Sequence, residues 1–418
     1  MAIVRPADIL LPDVENIEKW SVIACDQFTS DPDYWAETER IAGEAPSALR
    51  LILPEVCLGT EKAAEISRAV PGKMAEYCSD GTFRELKDAY IYVERELSDG
   101  TIRHGIVAAI DLDAYEFAPE ADALVKATER TVKERLVKRL DLRRNASVEL
   151  PHVLVFYDDP GNSIMSEITA NKDALPLQYS FDLMQGGGHI EGRLIQGKAA
   201  ERLTARFEGL EKTAKDSARP EEGEYAVMLA VGDGNHSLAT AKAGRDEMKK
   251  ELPPEERDST AARYALVELV NVYDGGINIE PIHRAVKDTD NRDFVRFIGE
   301  YFKRFSGDGE PMEVTAGTGE SERVIPVFGL GAGELVAEAD RAIGEYIEDH
   351  GGVEDYIHDK ASAEAVGSAE NAAFLLLPQV PRDEIFKTVR KHRILPKKCF
   401  SIGHAREKRY YLEARKIK

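Results

Sequence analysis

The chain has 418 residues, 43% of them hydrophobic and 31% charged, which is enough to bury a substantial core and to divide into two or three domains. Its 55 basic and 76 acidic side chains leave a formal charge of -21, which repels a phosphate backbone over most of the surface and argues against nucleic acid as a partner, short of a local basic patch. No apolar run approaches the length needed to span a bilayer, so no membrane association is expected. The opening residues carry Arg5, Asp8, Asp13, Glu15, Glu18 and Lys19 instead of an apolar signal core. Cys25, Cys57, Cys78 and Cys399 form no C-x-x-C pair and no disulfide-like framework, so a reducing cytoplasm is the expected home.

In chain order, the apolar run Val22 to Ala24 leads into Cys25-Asp26-Gln27-Phe28-Thr29-Ser30, polar groups at a strand end where binding residues are favoured. Asp26 is therefore a candidate substrate contact. Cys25 has no basic neighbour in the sequence and reads as a core thiol. Thr60 to Tyr77 is predicted helical. Asp88 to Leu112 reads as a hairpin turning at Asp99-Gly100. Glu120 to Leu140 is predicted helical from Val125, Val132, Leu136 and Leu140. On such a helix Lys126, Arg130 and Lys133 form one basic stripe, facing either a phosphate chain or solvent, the latter with Glu129–Lys133 and Glu134–Lys138 pairs.

Leu150 to Tyr157 is predicted as a strand. Gly186-Gly187-Gly188 precede His189, Glu191 and Arg193, which would share one face of a strand as a substrate-binding set or decorate a mobile loop. Leu194 to Thr213 is predicted as an amphipathic helix, followed by a polar loop from Asp216 to Glu224.

The segment Tyr225 to Lys242, YAVMLAVGDGNHSLATAK, carries the most chemistry. Its apolar start, Tyr225 to Val231, fits a strand buried on both faces. From Ser237 the pattern becomes helical, with Ser237 or Asn235 as a cap. Gly232 and Gly234 permit a sharp bend, and the first amides of the helix point outward with the positive end of its dipole, a setting that suits phosphate. Asp233 could accept a proton from a hydroxyl or hold a magnesium ion, and His236 could hydrogen-bond a phosphoryl oxygen. The bland alternative is a turn built by Asp233 and Asn235, with His236 as a partly buried helix-start residue.

Tyr264 to Val272 and Ile277 to Pro281 flank Asp274-Gly275-Gly276 and read as a second hairpin or a bulged return. It leads to His283-Arg284, where Arg284 could face a phosphate or pair with an acid. The remainder alternates helix (Phe294 to Phe305), strand (Val324 to Phe328), helix (Leu335 to His350), strand (Ala372 to Leu377) and helix (Asp383 to His392), which suggests α/β packing. Gly329-Leu330-Gly331-Ala332-Gly333 has the wrong spacing for a dinucleotide loop, and Glu334 would oppose a pyrophosphate. No G-x-x-x-x-G-K-[ST] loop, H-E-x-x-H helix or G-x-S-x-G elbow is present.

VGDGNHSLATAKA resembles the Asp-Gly-X-His signature of the domain of unknown function 1015 family, and KATERTVKERL (Lys126 to Leu136), LPHVLVFYDD (Leu150 to Asp159), EPIHRAV (Glu280 to Val286) and LPKKCFSIG (Leu395 to Gly403) fall in that family's order. The turn is similar to the helix-start loop of the ParB and sulfiredoxin-like group, which includes enzymes that phosphorylate free serine. The resemblance implies phosphate contacts at Gly234, Asn235, His236 and Ser237, with Asp233 beside the reacting group, and it draws Thr128, Glu129 and Arg130 toward the site. Many relatives carry Arg after the His. This chain has Ser237, so another cation must substitute or the ligand must differ.

The expectation is therefore a mixed α/β fold, with mixed sheets flanked by helices and a ParB/sulfiredoxin-like core. Residues 1–290 would form the core, possibly split near 115–220, and 291–418 a C-terminal α/β domain. The leading function is phosphoryl transfer from ATP, ADP or pyrophosphate to a small hydroxyl acceptor such as serine. Asp233 and His236 would be catalytic, Asp233 would ligate magnesium, Arg130 and Arg284 would contact phosphate, and His189, Glu191, Arg193 and Asp26 would bind substrate. The alternatives are a non-catalytic sensor of a phosphorylated or carboxylated metabolite, and a metal-dependent hydrolase built from Asp233, His236, His189 and Glu191.

Overall fold

The computed structural model describes residues 2–29, 31–57, 60–131 and 133–418, apart from the side chains at 26, 55, 133–135 and 138. It is a mixed α/β structure that divides into two compact units, Met1–Ile277 with His404–Lys418, and Asn278–Gly403. The sequence pattern suggested a boundary near 290, but the contacts divide the chain at 277. The reason is local: Ile279–Pro281 pairs with Phe400–Ile402 instead of folding back as a hairpin on Tyr264–Asn271.

The first unit is built on an 11-stranded mixed sheet. Its long hairpin, Phe83–Glu96 with Ile102–Asp111, closes through Gly100 at φ +82. Along the sheet the order runs 115–116, 125–126, 229–233, 154–157, 264–271, 102–111, 83–96, 189–195 and 177–182, with Val4–Arg5 and Ala7–Pro12 added to the hairpin strands. Strand 229–233 is parallel to 125–126 and antiparallel to 154–157, and 154–157 is parallel to 264–271.

Both faces of this sheet are covered. Tyr90, Tyr92, Ile106, Ala108, Val155, Leu229, Val231 and Val267 pack with Leu203, Phe207 and Leu238 from the helices Lys198–Ser217 and Asn235–Glu251. The alternate residues Ile91, Val93, Val107, Ala109 and Leu266 pack with Leu10, Trp20, Val22 and the tail residues Tyr410 and Leu412. The two-residue period of a strand explains the division, and burial on both sides explains why Leu229 to Val231 is an unbroken apolar run.

The helix expected over Glu120 to Leu140 is two separate elements, a short strand Val125–Lys126 and a helix Lys133–Asn145. Lys126 is buried, and its ammonium donates to the carbonyls of Ala118 at 3.0 Å and Ala121 at 2.7 Å. It therefore cannot share a helical stripe with Arg130 and Lys133.

The second unit is a five-stranded antiparallel sheet in the order 322–327, 312–317, 372–376, 283–287 and 353–357, accompanied by the helices Asn291–Phe302, Ala332–His350, Lys360–Gly367 and Arg382–His392. The glycine-rich loop before the helix at Ala332 is structural. Glu334 accepts from the Gly331 amide at 3.0 Å and Glu384 from the Ala332 amide at 2.7 Å, so carboxylates already occupy that helix start. Among the described residues, no helix is long and apolar enough to cross a membrane.

Candidate functional site

The strand Leu229–Asp233 ends in a β-bulge. Val231 lies opposite Val155 and Asp233 opposite Leu154, so Gly232 is the extra residue. A bulge re-aims the side chain that follows it, and here it turns Asp233 toward the start of the helix Asn235–Glu251. Between them Gly234 adopts φ +86, a left-handed conformation that glycine takes without strain. A Cβ there would also lie 3.1 Å from Cα of Val153, just before the neighbouring strand Leu154–Tyr157.

Asp233 is held from two sides. Its Oδ1 accepts from the Gly234 amide at 3.0 Å and its Oδ2 from the Lys408 ammonium at 3.1 Å. Burial alone would raise the carboxyl, but the charges of Lys408 and His152 and the bonds from Lys408 and the Gly234 amide outweigh it and hold Asp233 below the usual carboxylate range. The two side chains keep 31% and 13% of their exposure, Asp233 the larger share, so solvent or a ligand can reach the acid.

The rest of the motif is partly committed elsewhere. Asn235 is buried, its Oδ1 accepts from the Thr128 amide at 3.1 Å, and its Nδ2 donates to Thr128 Oγ1 at 3.2 Å. Thr128 Oγ1 in turn donates to the Val231 carbonyl at 2.6 Å. The Asn235 side chain is thus a fastener, not a phosphate ligand. The Ser237 amide donates to the Gly234 carbonyl at 3.0 Å, and its hydroxyl shares a 3.0 Å hydrogen bond with His152 Nε2. Of the four amides expected to cradle an anion, those of Gly234 and Ser237 are engaged internally.

Arg130 is exposed and stands two residues beyond Thr128, whose amide and hydroxyl are bonded to Asn235. Cys25 is close to the turn, since burial pushes its thiol up to about 11 while Lys408 pulls it down and Asp233 pushes it up. The side chain of Asp26 lies outside the described residues.

Other expected site residues are placed elsewhere. His189, Glu191 and Arg193 do share one face of the strand His189–Ile195, but that strand stands five positions along the sheet from Leu229–Asp233. His189 pairs with Asp182 at 2.7 Å, and Arg193 Nε donates to Glu191 at 2.6 Å. The preceding glycines form a tight turn, with Leu183 N donating to Gly188 O at 2.8 Å, and a Cβ at Gly187 would come within 2.5 Å of the Tyr410 hydroxyl. Arg284 belongs to the second unit and is fully buried. It donates to Asp340 at 2.8 Å and to the Ile282 carbonyl at 2.6 Å, and its guanidinium lies over the Tyr356 ring. A guanidinium so fully committed makes a structural post and offers no phosphate fork.

Magnesium fits this donor set poorly. Asp233 is a single carboxylate already bonded to an ammonium and an amide, and among the described residues no three His, Cys, Asp or Glu side chains converge on one point. The quartet Asp233, His236, His189 and Glu191 is likewise not assembled.

Sequence reasoning missed Lys408 and His152. His152 had a signal, since it stands just before the strand Leu154–Tyr157 that flanks the motif strand. Lys408 had none. It arrives on a tail pinned inside the first unit, where Arg409 pairs with Glu268 at 2.9 Å and Glu413 at 2.5 Å, and Tyr179 donates to Glu413 at 2.5 Å. All of these acids and bases are buried.

Fold and site together define a mixed α/β protein with an ionised acid set in a bulged strand-to-helix turn. The DUF1015 family model, described as a protein of unknown function, matches residues 4–391, and the chain belongs to this family. Lys408 lies beyond the matched residues. Among curated proteins none matches. Among solved structures the chain is similar to a mutant free serine kinase in complex with ADP, at 11% identity over 73% of this chain and 91% of that one, with a TM-score of 0.37. It is also similar to a conserved hypothetical protein from Pyrococcus furiosus (11% identity, 73% and 90% covered, TM-score 0.32) and to SbnI with a C-terminal truncation from Staphylococcus aureus (9% identity, 71% and 82% covered, TM-score 0.35).

Proposed function

We propose that the chain transfers a phosphoryl group from ATP, or from ADP or pyrophosphate, to a small hydroxyl compound at the turn formed by residues 232–237, in a reducing cytoplasm. The observation that carries this reading is the Asp233–Lys408 pair beside a helix start, because it puts a proton acceptor and a phosphate-binding cation in contact with one another there. Donor oxygens would meet the helix start at Asn235 and the Lys408 ammonium, with Arg130 at the rim and His236 as a further contact. The acceptor oxygen forms a bond to the terminal phosphorus while the bond from that phosphorus to the leaving phosphate oxygen breaks. The acceptor's proton passes to Asp233. The products are a phosphate ester and the shortened donor.

A second reading, binding of a phosphorylated or carboxylated metabolite without turnover, is favoured by one fact: Asp233 is held low and is therefore a weak base. The test is ADP production by the purified full chain with ATP, magnesium and a panel of hydroxy compounds including L-serine. Turnover that disappears in Asp233→Asn supports transfer. Ligand-induced stabilisation with no ADP formed supports the sensor. Full turnover in Asp233→Asn overturns the assignment of the base.

A further inference from the structure

A cavity of about 200 Å³ lies against the motif helix inside the first unit. Its walls are mostly apolar, with Leu53, Leu142, Val148, Ala241, Leu266 and Tyr411 among them. One end is different. Ser237 and His152 form part of the wall there, joined by their 3.0 Å hydrogen bond, and the charge of His152 reaches Asp233. The cavity is therefore a mostly apolar compartment with Ser237 and His152 in its wall, and His152 lies within electrostatic reach of the acid.

The charged groups on its wall do not suit a zwitterion. Glu149 accepts from Arg143 at 2.7 Å and from Arg415 at 3.1 Å, and Arg139 is partnered as well, so the arginines and the glutamate of the wall already hold one another or other partners. A dry apolar cavity of about 150 Å³ is already large enough to hold benzene. We propose that this cavity takes the apolar body of the hydroxyl substrate, a ring or branched chain of benzene size, with its hydroxyl at the Ser237–His152 end facing Asp233. This rests on the phosphotransfer reading for its chemistry but not for its binding. The oxygen of that alcohol forms the bond to the terminal phosphorus of ATP, the bond to ADP breaks, and the proton passes to Asp233.

The experiment has two arms on the full chain. Ligand-observed NMR without nucleotide follows benzyl alcohol, cyclohexylmethanol and L-serine. ADP production with ATP and magnesium follows the same compounds and a series of linear alcohols. The expected result is binding of the two ring alcohols, a rise in kcat/KM of about fourfold for each methylene that enters the cavity, and loss of ring-alcohol binding in Ala241→Leu, which fills the space.

Val148→Ala, which enlarges it, should retain binding and guards against a misfolded Ala241→Leu, as does a thermal melt of both. Ring-alcohol binding abolished by Ala241→Leu but with no ADP formed upholds the cavity and sinks the transfer reading. Turnover of L-serine with no ring-alcohol binding does the reverse, and binding untouched by Ala241→Leu also overturns the inference.

Discussion

The ammonium of Lys408 lies 3.1 Å from Oδ2 of Asp233, across a separation of 175 positions in the chain. That contact joins the bulged turn to the tail, and it is the strongest influence opposing burial of the acid. In Lys408→Met the carboxyl should titrate higher, because burial then acts with less opposition. The sign follows: the acid limb of the rate profile, where activity is lost by protonating Asp233, moves to higher pH. Lys408→Arg should restore most of the original profile. Carboxyl-selective NMR titration provides a check independent of turnover, and an unchanged Asp233 titration in Lys408→Met would refute the coupling. Asp233→Asn itself should reduce turnover by about 10²–10⁴.

Asn235→Ala tests the fastener. The substitution removes both side-chain bonds to Thr128 and leaves the buried Thr128 amide without that acceptor. A loss of about 1–3 kcal/mol is expected in urea unfolding. If Asn235 served mainly as a phosphate ligand, nucleotide affinity would fall while stability stayed level.

Arg409→Met should be more damaging, at about 3–5 kcal/mol, since it leaves the buried carboxylates of Glu268 and Glu413 without their shared cation. Denaturant titration measures this. Hydrogen exchange at Lys408 and Tyr410 should rise in the same variant if the buried pairs anchor the tail.

The second unit carries its own acid sensitivity. Burial, reinforced by the charge of Arg284, lowers His283 from its ordinary value of 6.5 to about 4, and its Nδ1 accepts from the Leu377 amide at 3.1 Å. Between those two values the unfolded chain binds the proton and the folded chain does not, so the stabilisation is complete above pH 6.5 and declines as pH falls toward 4. The full effect is about 3 kcal/mol. Unfolding of the chain monitored by tyrosine and tryptophan signals between pH 7 and 4 should show this slope, and His283→Asn should flatten it.

The turn was legible because two periods meet there: the buried run Leu229 to Val231 gives way to helical spacing, with glycines and an acid at the junction. The hairpin of residues 83–111 was legible because two strand patterns flank the Asp99-Gly100 turn. The basic stripe failed because Lys126 satisfies its charge on loop carbonyls, a tertiary arrangement that residue spacing cannot encode. The second hairpin failed because Ile279–Pro281 finds its partner more than a hundred residues later. His189, Glu191 and Arg193 share one face as expected, but their strand stands five positions along the sheet from the turn, since strand order is not sequence order. Lys408 was illegible for the plainest reason: nothing near it in the chain refers to Asp233.

Because Lys408 follows the whole of Asn278–Gly403 in the chain, a ribosome makes the acid of the turn long before it makes the cation that neutralises it. During that interval Asp233 is without its counter-charge and the first unit lacks residues 404–418. A chain cut after residue 403 would hold all of Asn278–Gly403 but lack residues 404–418 of the first unit, and with them the cation paired with Asp233.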